Sequence, residues 1–232
     1  MEAVFKADGI RKRNTMFIPT LYDKVEQYIE EFAMLIDDKE LRGAFYDEVY
    51  IAGGFIYSII NNESGEFKDI DLFFKTEETA LQIKEYFRKN SRLHMSHSED
   101  VKIGMYGSYN IVITSNALSV GYFQVITRWT GTPEEVVSQF DFKHNMFFYQ
   151  RGNFYSLVDS KYLYDDYLHY NDERARDICG TIMRVSKFVS RGMKITQKEV
   201  AKMLLRLNDV GFNDRELEIL NNANRVNNGF ES

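Results

Sequence analysis

Asp69 and Asp71 stand two apart in an otherwise apolar stretch, Lys68-Asp69-Ile70-Asp71-Leu72-Phe73-Phe74. Read as a strand, the stretch puts both carboxylates on one face and Ile70 and Leu72 on the other. Neighbouring carboxylates repel each other and are costly to desolvate. A divalent cation between them removes both penalties, and Mg²⁺ favours such oxygen ligands together with water and substrate phosphates. Two cations about 3.5–4 Å apart can clamp the attacking and leaving oxygens of an in-line phosphoryl displacement. Upstream, Val49-Tyr50-Ile51-Ala52 reads as a short strand running into Gly53-Gly54. The glycines let backbone approach a phosphate closely, and the apolar run from Phe55 to Ile60 starts a helix whose N-terminus favours anions. Alone, an Asp-x-Asp is usually a solvated strand edge, and a Gly-Gly is usually a turn. The order strand, Gly-Gly, helix, Asp-x-Asp strand is far more specific, and it points to phosphoryl chemistry.

Such a site needs a sheet and helices to hold it. Leu21, Val25, Tyr28, Ile29, Phe32, Leu35 and Ile36 recur at helical spacing, which predicts a helix from an N-cap at Thr20 to about Asp38. Residues 1–19 are read as an extended arm. Thr76-Glu77-Glu78 opens another helix, with Leu81, Ile83, Tyr86 and Phe87 mostly on one side. Residues 90–100 read as an exposed polar loop, in preference to a metal at His94 and His97. Strands are expected at 101–105, 109–114 and 121–127, with turns near Gly107 and Asn116, as an antiparallel meander. Thr132-Pro133-Glu134-Glu135 combines an N-cap, a proline at the first helical position and a capping box, in a short helix ending near Phe140. Thr196 with Glu199 and Asn213 with Glu216 mark two more capping boxes and two short helices, before a polar tail from Asn221 that frays.

With 44% hydrophobic and 15% aromatic residues, the 232-residue chain can bury a core, as one domain or a domain with an appendage. A single cysteine, Cys179, excludes an internal disulfide, and no Cys/His cluster suggests zinc. Neither a signal peptide nor a transmembrane run is legible, so a cytoplasmic setting without a membrane partner is expected. The formal net charge of −6 argues against a non-specific nucleic-acid binder. It is unevenly spread. From Arg174 to Arg206, nine basic residues face only Asp177 and Glu199, a local net of +7. A solvated basic helix face and a surface for phosphates account for this segment equally well.

Gly53-Gly54-Phe55-Ile56-Tyr57-Ser58, then Lys68-Asp69-Ile70-Asp71, resembles the signature of the DNA polymerase β-type nucleotidyltransferases. Within them it is most similar to the tRNA CCA-adding and bacterial poly(A) polymerase group, whose pattern runs GGxVRD, a spacer, then DxD. Phe140 to Tyr149 resembles that group's RRDFTINALAYD segment, with Asp141-Phe142 and Asn145 in register. Gly152 and Leu157-Val158-Asp159 fit the turn that follows, and Ile182–Phe188 with Arg191–Ile195 is similar to the neck helix. The resemblance spans residues 49–195 and implies an α+β fold, a polymerase β-like mixed sheet with flanking helices followed by a small helical neck. The implied boundaries are 1–160 for the catalytic domain, 161–222 for the neck-like region and 223–232 for a flexible tail. The implied activity moves an NMP from an NTP to an acceptor, with RNA as the expected partner and Mg²⁺ (or Mn²⁺) held by the catalytic Asp69 and Asp71. The nucleotide-binding set is Gly53, Gly54, Ser58, Asp141, Arg184 and Lys187; the last two, three apart on one helix, are neighbours expected to face the cleft.

Four departures stand against this pattern. The Arg-Asp after the glycines is Tyr57-Ser58, and the arginine before Asp141 is Phe140. The base-selecting EDxxR becomes Asp177-Ile178-Cys179-Gly180-Thr181. Many members carry a third carboxylate on a later strand, where Tyr122–Ile126 offers Gln124; Asp141 either approaches the metals or has a structural role at the start of its strand. Two readings follow. One is an active transferase acting on a tRNA-like 3′ end or a protein hydroxyl; the other is a nucleotide- or RNA-binding protein that kept the fold and lost turnover. Intact Asp69 and Asp71 favour the first.

Overall fold

The computed structural model describes residues 19–61, 69–95, 101–174 and 177–227. The expected arm before Pro19, His97 and the last five residues of the expected tail lie outside them. The chain divides into two compact units, Met1–Phe140 with His144–Tyr164, and Asp141–Lys143 with Asp165–Ser232.

The first unit opens with α1 (Pro19–Ala33) and α2 (Lys39–Glu48), where the sequence predicts one helix. The break comes at Asp38, which leaves helical geometry and whose carboxylate accepts the N–H groups of Glu40 and Leu41 as the cap of α2. Thr20 lies inside α1, which begins at Pro19 among the described residues. Next come β1 (Tyr50–Ala52), α3 (Gly54–Asn61), β2 (Ile70–Phe73) and α4 (Glu77–Asn90). The Thr76 hydroxyl caps α4 as expected, but Leu81 is exposed; Ala80, Ile83 and Phe87 form the buried stripe.

Five strands then follow in antiparallel succession: β3 (Arg92–Met95), β4 (Lys102–Tyr106), β5 (Tyr109–Ile113), β6 (Ala117–Val120) and β7 (Phe123–Ile126). The strand β3 replaces part of the loop expected at 90–100, with His94 an exposed residue opposite Ile103. The strand β6 is an addition to the expected meander. Thr132 and Glu135 complete their reciprocal capping box on α5 (Pro133–Val137), which stops short of Phe140. Among the described residues, the hairpin β8 (Phe147–Gln150) and β9 (Asn153–Ser156) completes a nine-stranded sheet in the order β3-β4-β5-β6-β7-β2-β1-β8-β9. The β2–β7 pair is parallel and its neighbours antiparallel, so the fold is α+β around a mixed sheet with flanking helices.

Alternation sorts the strand residues into two cores. Ile51, Ile70, Leu72, Phe123, Val125, Phe147 and Tyr149 pack with Val25, Phe32, Phe45, Phe55 and Phe87 of the helices. Tyr50, Ala52, Phe73 and Phe148 pack on the opposite face with Val136, Val137 and Phe140. The Tyr122 and Tyr149 hydroxyls donate to Glu31 and Glu26 of α1, and burial, then these carboxylates, raise both phenol pKa values well above the ordinary.

The second unit holds α6 (Ile178–Val189), α7 (Gln197–Val210) and α8 (Asp214–Asn227). The last two, expected to be short, have 14 residues each, and α8 runs on past Asn221 where fraying is expected. The Asn213–Glu216 box is reciprocal. At Thr196 the hydroxyl caps α7, but Glu199 turns inward to accept from the Tyr170 N–H and Lys202. Phe142 bridges to Tyr170 and packs edge-on against Phe188 at 5.4 Å, so Asp141 precedes an isolated bridge and does not start β8.

Candidate active site

In the first unit, β1 ends at Ala52 and the chain turns at Gly53, with φ +87°, into α3. A Cβ on Gly53 would lie 3.7 Å from Asp71 Oδ2 and 3.7 Å from the Phe140 ring, which is ordinary contact. Conformation, not space, demands glycine here. Gly53→Ala is expected to cost about 1–2 kcal/mol, the penalty of a left-handed residue with a Cβ. A fall in the urea midpoint at unchanged m-value would measure it; an undiminished midpoint would contradict the strain.

Asp71 lies within β2, and Asp69 directly precedes it; both are half-buried. Ile70 and Leu72 enter the larger core and Phe73 the smaller, so Asp71 shares the face of Phe73 and Phe140. On the parallel neighbour β7, Gln124 stands in register with Asp71, and Phe123 and Val125 turn to the larger core. The position beside Asp71 therefore carries an amide. Among the described residues no group of three or more His, Cys, Asp or Glu side chains gathers to hold a metal. The Asp69–Asp71 donor set nevertheless fits Mg²⁺, which takes one or two protein carboxylates and leaves its other positions to water and phosphate. Tyr57, in place of an arginine, is half-buried with its ring edge-on to His144 at 5.0 Å. Ser58 follows it in α3, also half-buried.

Asp141, Arg184 and Lys187 belong to the second unit. There Asp141 accepts from the Thr181 hydroxyl at 2.8 Å, from Arg184 Nη2 at 2.9 Å and from Arg184 Nε. Arg174 Nε stands 3.0 Å from Asp141 Oδ1 as an ion pair, with the Arg174 side chain only 2% exposed. Asp177 caps α6 from a left-handed conformation and binds Arg184 Nη2 at 2.9 Å and Arg174 Nη2 at 3.4 Å. Burial lowers the Arg174 pKa against the pull of Asp141. Burial opposes charge on Arg184 too, but its hydrogen bonds to Asp141 win and its pKa rises. Lys187, on the next turn of α6, is exposed. The structure thus brings Gly53, Gly54, Asp69 and Asp71 together in one unit and Asp141 with Arg184 in the other.

Sequence reasoning misses the roles of Arg174 and Thr181 in this network. The one legible signal is the seven-residue spacing of Asp177 and Arg184, two helical turns on one face. It also misses the environment of Asn145, whose amide lies beside Gly54.

Compared with known proteins, the chain matches the family described as "Gad2: Gabija anti-defense 2 family protein" over residues 17–166. No curated protein matches it. CCA-adding enzymes, the group whose signature the sequence resembles, are among the similar solved structures. A tRNA-processing enzyme in its apo form I is 16% identical with a TM-score of 0.49, over 85% of this chain and 49% of the other. The Thermotoga maritima CCA-adding enzyme complexed with tRNA is 15% identical with a TM-score of 0.43, over 78% of this chain and 45% of the other. A CCA-adding enzyme with CTP is 17% identical with a TM-score of 0.46, over 80% of this chain and 42% of the other. The chain spans about half the length of these structures, or less.

Proposed function

Because the chain belongs to the Gabija anti-defense 2 family, we propose that it serves an anti-defense role by metal-dependent nucleotidyl transfer, moving an NMP from an NTP to the 3′ end of a tRNA-like RNA. The observation that carries this reading is the placement of Asp71, with Asp69 just before it, against the Gly53 turn that opens α3. Asp69 and Asp71 would hold Mg²⁺ or Mn²⁺, which when bound would neutralise phosphate charge. The N–H groups at the start of α3 would meet the phosphates. In the step itself the acceptor hydroxyl oxygen forms a bond to the α-phosphorus, the bond from that phosphorus to the bridging oxygen breaks, pyrophosphate leaves with the electron pair, and the hydroxyl proton passes to water. Positioning and charge neutralisation are most of what this chemistry asks of a protein. Arg184 is bonded to Asp141, and Lys187 on the next turn of α6 is exposed. The 1–160 region is the proposed catalytic domain and 161–222 the proposed neck.

Gln124 beside Asp71 and Tyr57 packed on His144 favour a second reading, a nucleotide- or RNA-binding protein without turnover. An acceptor hydroxyl on a protein of the defence system is a third possibility within the transferase reading. Incubating the chain with each α-labelled NTP, Mg²⁺ or Mn²⁺, and total RNA or cell protein separates them. Label on RNA or on protein identifies the acceptor; NTP binding without pyrophosphate release would sink the enzyme.

Nucleotide choice is expected to differ from that of a CCA-adding enzyme. Ile178 and Thr181 stand where the resemblance places a base-reading carboxylate and arginine, and both are buried, with Thr181 bonded to Asp141. A base is selected by hydrogen-bonding groups that a wrong partner leaves unpaired. Sequenced acceptor ends should therefore show one favoured nucleotide or several; ordered addition of C, C and A would contradict this.

A further inference from the structure

Asn145 is 9% exposed, and its side-chain oxygen Oδ1 is buried with no hydrogen-bond partner among the described residues. A buried amide oxygen left without a donor is destabilising, so such an atom calls for an explanation. Its position supplies one. The strand β8 pairs antiparallel with β1, Ala52 opposite Phe148 and Ile51 opposite Tyr149. Continuing that register past the end of β1 brings Asn145, two residues before β8, alongside the Gly53-Gly54 turn. The oxygen consequently lies 3.8 Å from where a Cβ on Gly54 would be, at the N-terminus of the eight-residue helix α3. On the other side of the same turn, 3.7 Å from where a Cβ on Gly53 would be, is Asp71 Oδ2.

An amide oxygen can only accept. It repels a phosphate oxygen, which the α3 N-terminus itself attracts, and it is satisfied by an O–H donor. We infer that Asn145 is a substrate-positioning residue whose Oδ1 accepts a hydrogen bond from a ligand hydroxyl at the Gly53-Gly54 turn. This rests on the transferase reading and gives it a specific contact. Two hydroxyl sources share that chemistry, the ribose of the nucleotide and the terminal hydroxyl of the acceptor. The contact fixes the orientation of whichever group carries the hydroxyl, and it rejects the deoxy counterpart because Oδ1 is then buried unpaired again.

Calorimetric titration of the full chain tests this without requiring turnover. One arm compares each NTP with its 2′-deoxy and 3′-deoxy forms in Mg²⁺. The other compares a short RNA ending in a 3′-hydroxyl with the same RNA ending in a 3′-deoxynucleotide. For one of these hydroxyls, deletion is expected to weaken wild-type binding about tenfold, the size of a well-made hydrogen bond to a buried group. Asn145→Leu, similar in volume but without an acceptor, should bind hydroxyl and deoxy ligands alike. Asn145→Asp, of the same shape and still an acceptor, should keep the preference, and it serves if the leucine variant does not fold. The arm that responds identifies the source. Binding of NTP or RNA with indifference to every deletion, or equal weakening of hydroxyl and deoxy forms by the leucine variant, overturns the inference and leaves the transferase reading standing. Binding of neither overturns both.

Discussion

Asp71→Ala is expected to lose nucleotidyl transfer by on the order of 10³-fold, the scale of removing a principal charge-stabilising group from an active site. Asp69→Ala should do the same. Each removes one of the two anionic charges that would hold the cation, and the residue in register with position 71 on β7 is the uncharged Gln124. The amide of Gln124 is a poor substitute, since it carries no charge. The fold should survive. Neither aspartate contributes to either apolar core, and removing one relieves repulsion between two nearby anions. The thermal midpoint should therefore stay within about 4 °C of wild type, equivalent to roughly 1 kcal/mol in a chain of this size. Both readouts come from one preparation: pyrophosphate release with labelled NTP, and a melting curve. Full turnover in either variant would remove the metal assignment. A collapse of the melting curve would instead show that the pair is structural.

Why these aspartates are legible in the sequence, and other features are not, is a matter of distance along the chain. Strand period alone places Asp69 and Asp71 on one face, and a glycine pair between a strand and a helix is local as well. The capping box at Thr132 and the strands expected at 101–105 and 109–114 are equally local, and the structure has both. The break at Asp38 is not legible, because Ile36 stays buried after α1 has ended and so prolongs the helical stripe. The strand β3 is hidden for another reason. It is the edge of the sheet, and Arg92 and His94 face solvent, as edge strands commonly require. In β6, Ala-Leu-Ser-Val is too short for a pattern, and its strand character comes from pairing with both neighbours. The Asn145 environment depends on the β1–β8 register, between segments nearly a hundred residues apart. The Asp141–Arg184 contact spans 43 residues, and nothing in either local sequence announces it.

That contact leads to the largest expected effect on stability. Asp141→Ala should destabilise the second unit by about 3–5 kcal/mol, the range for breaking a buried ion pair from one side. The cost comes from what is left behind. Asp141 lies between two guanidinium groups, bonded to Arg184 and 3.0 Å from Arg174, and its own side chain is only 13% exposed. Without it, the buried Arg174 faces the like charge of Arg184, with Asp177 3.4 Å away, and the Thr181 hydroxyl exchanges the Asp141 carboxylate for the Asp177 carbonyl oxygen, 3.1 Å away. A surface ion pair would be worth under about 1 kcal/mol, so burial decides the magnitude. The effect should appear as a lower urea midpoint and as faster amide exchange in α6, whose cap Asp177 and residues Thr181 and Arg184 all belong to the network. Adding Arg174→Met to Asp141→Ala removes the stranded charge and refills its volume, so the double variant should recover part of the loss. A loss under 1 kcal/mol, or a double variant no better than the single, would mean that solvent already screens these charges.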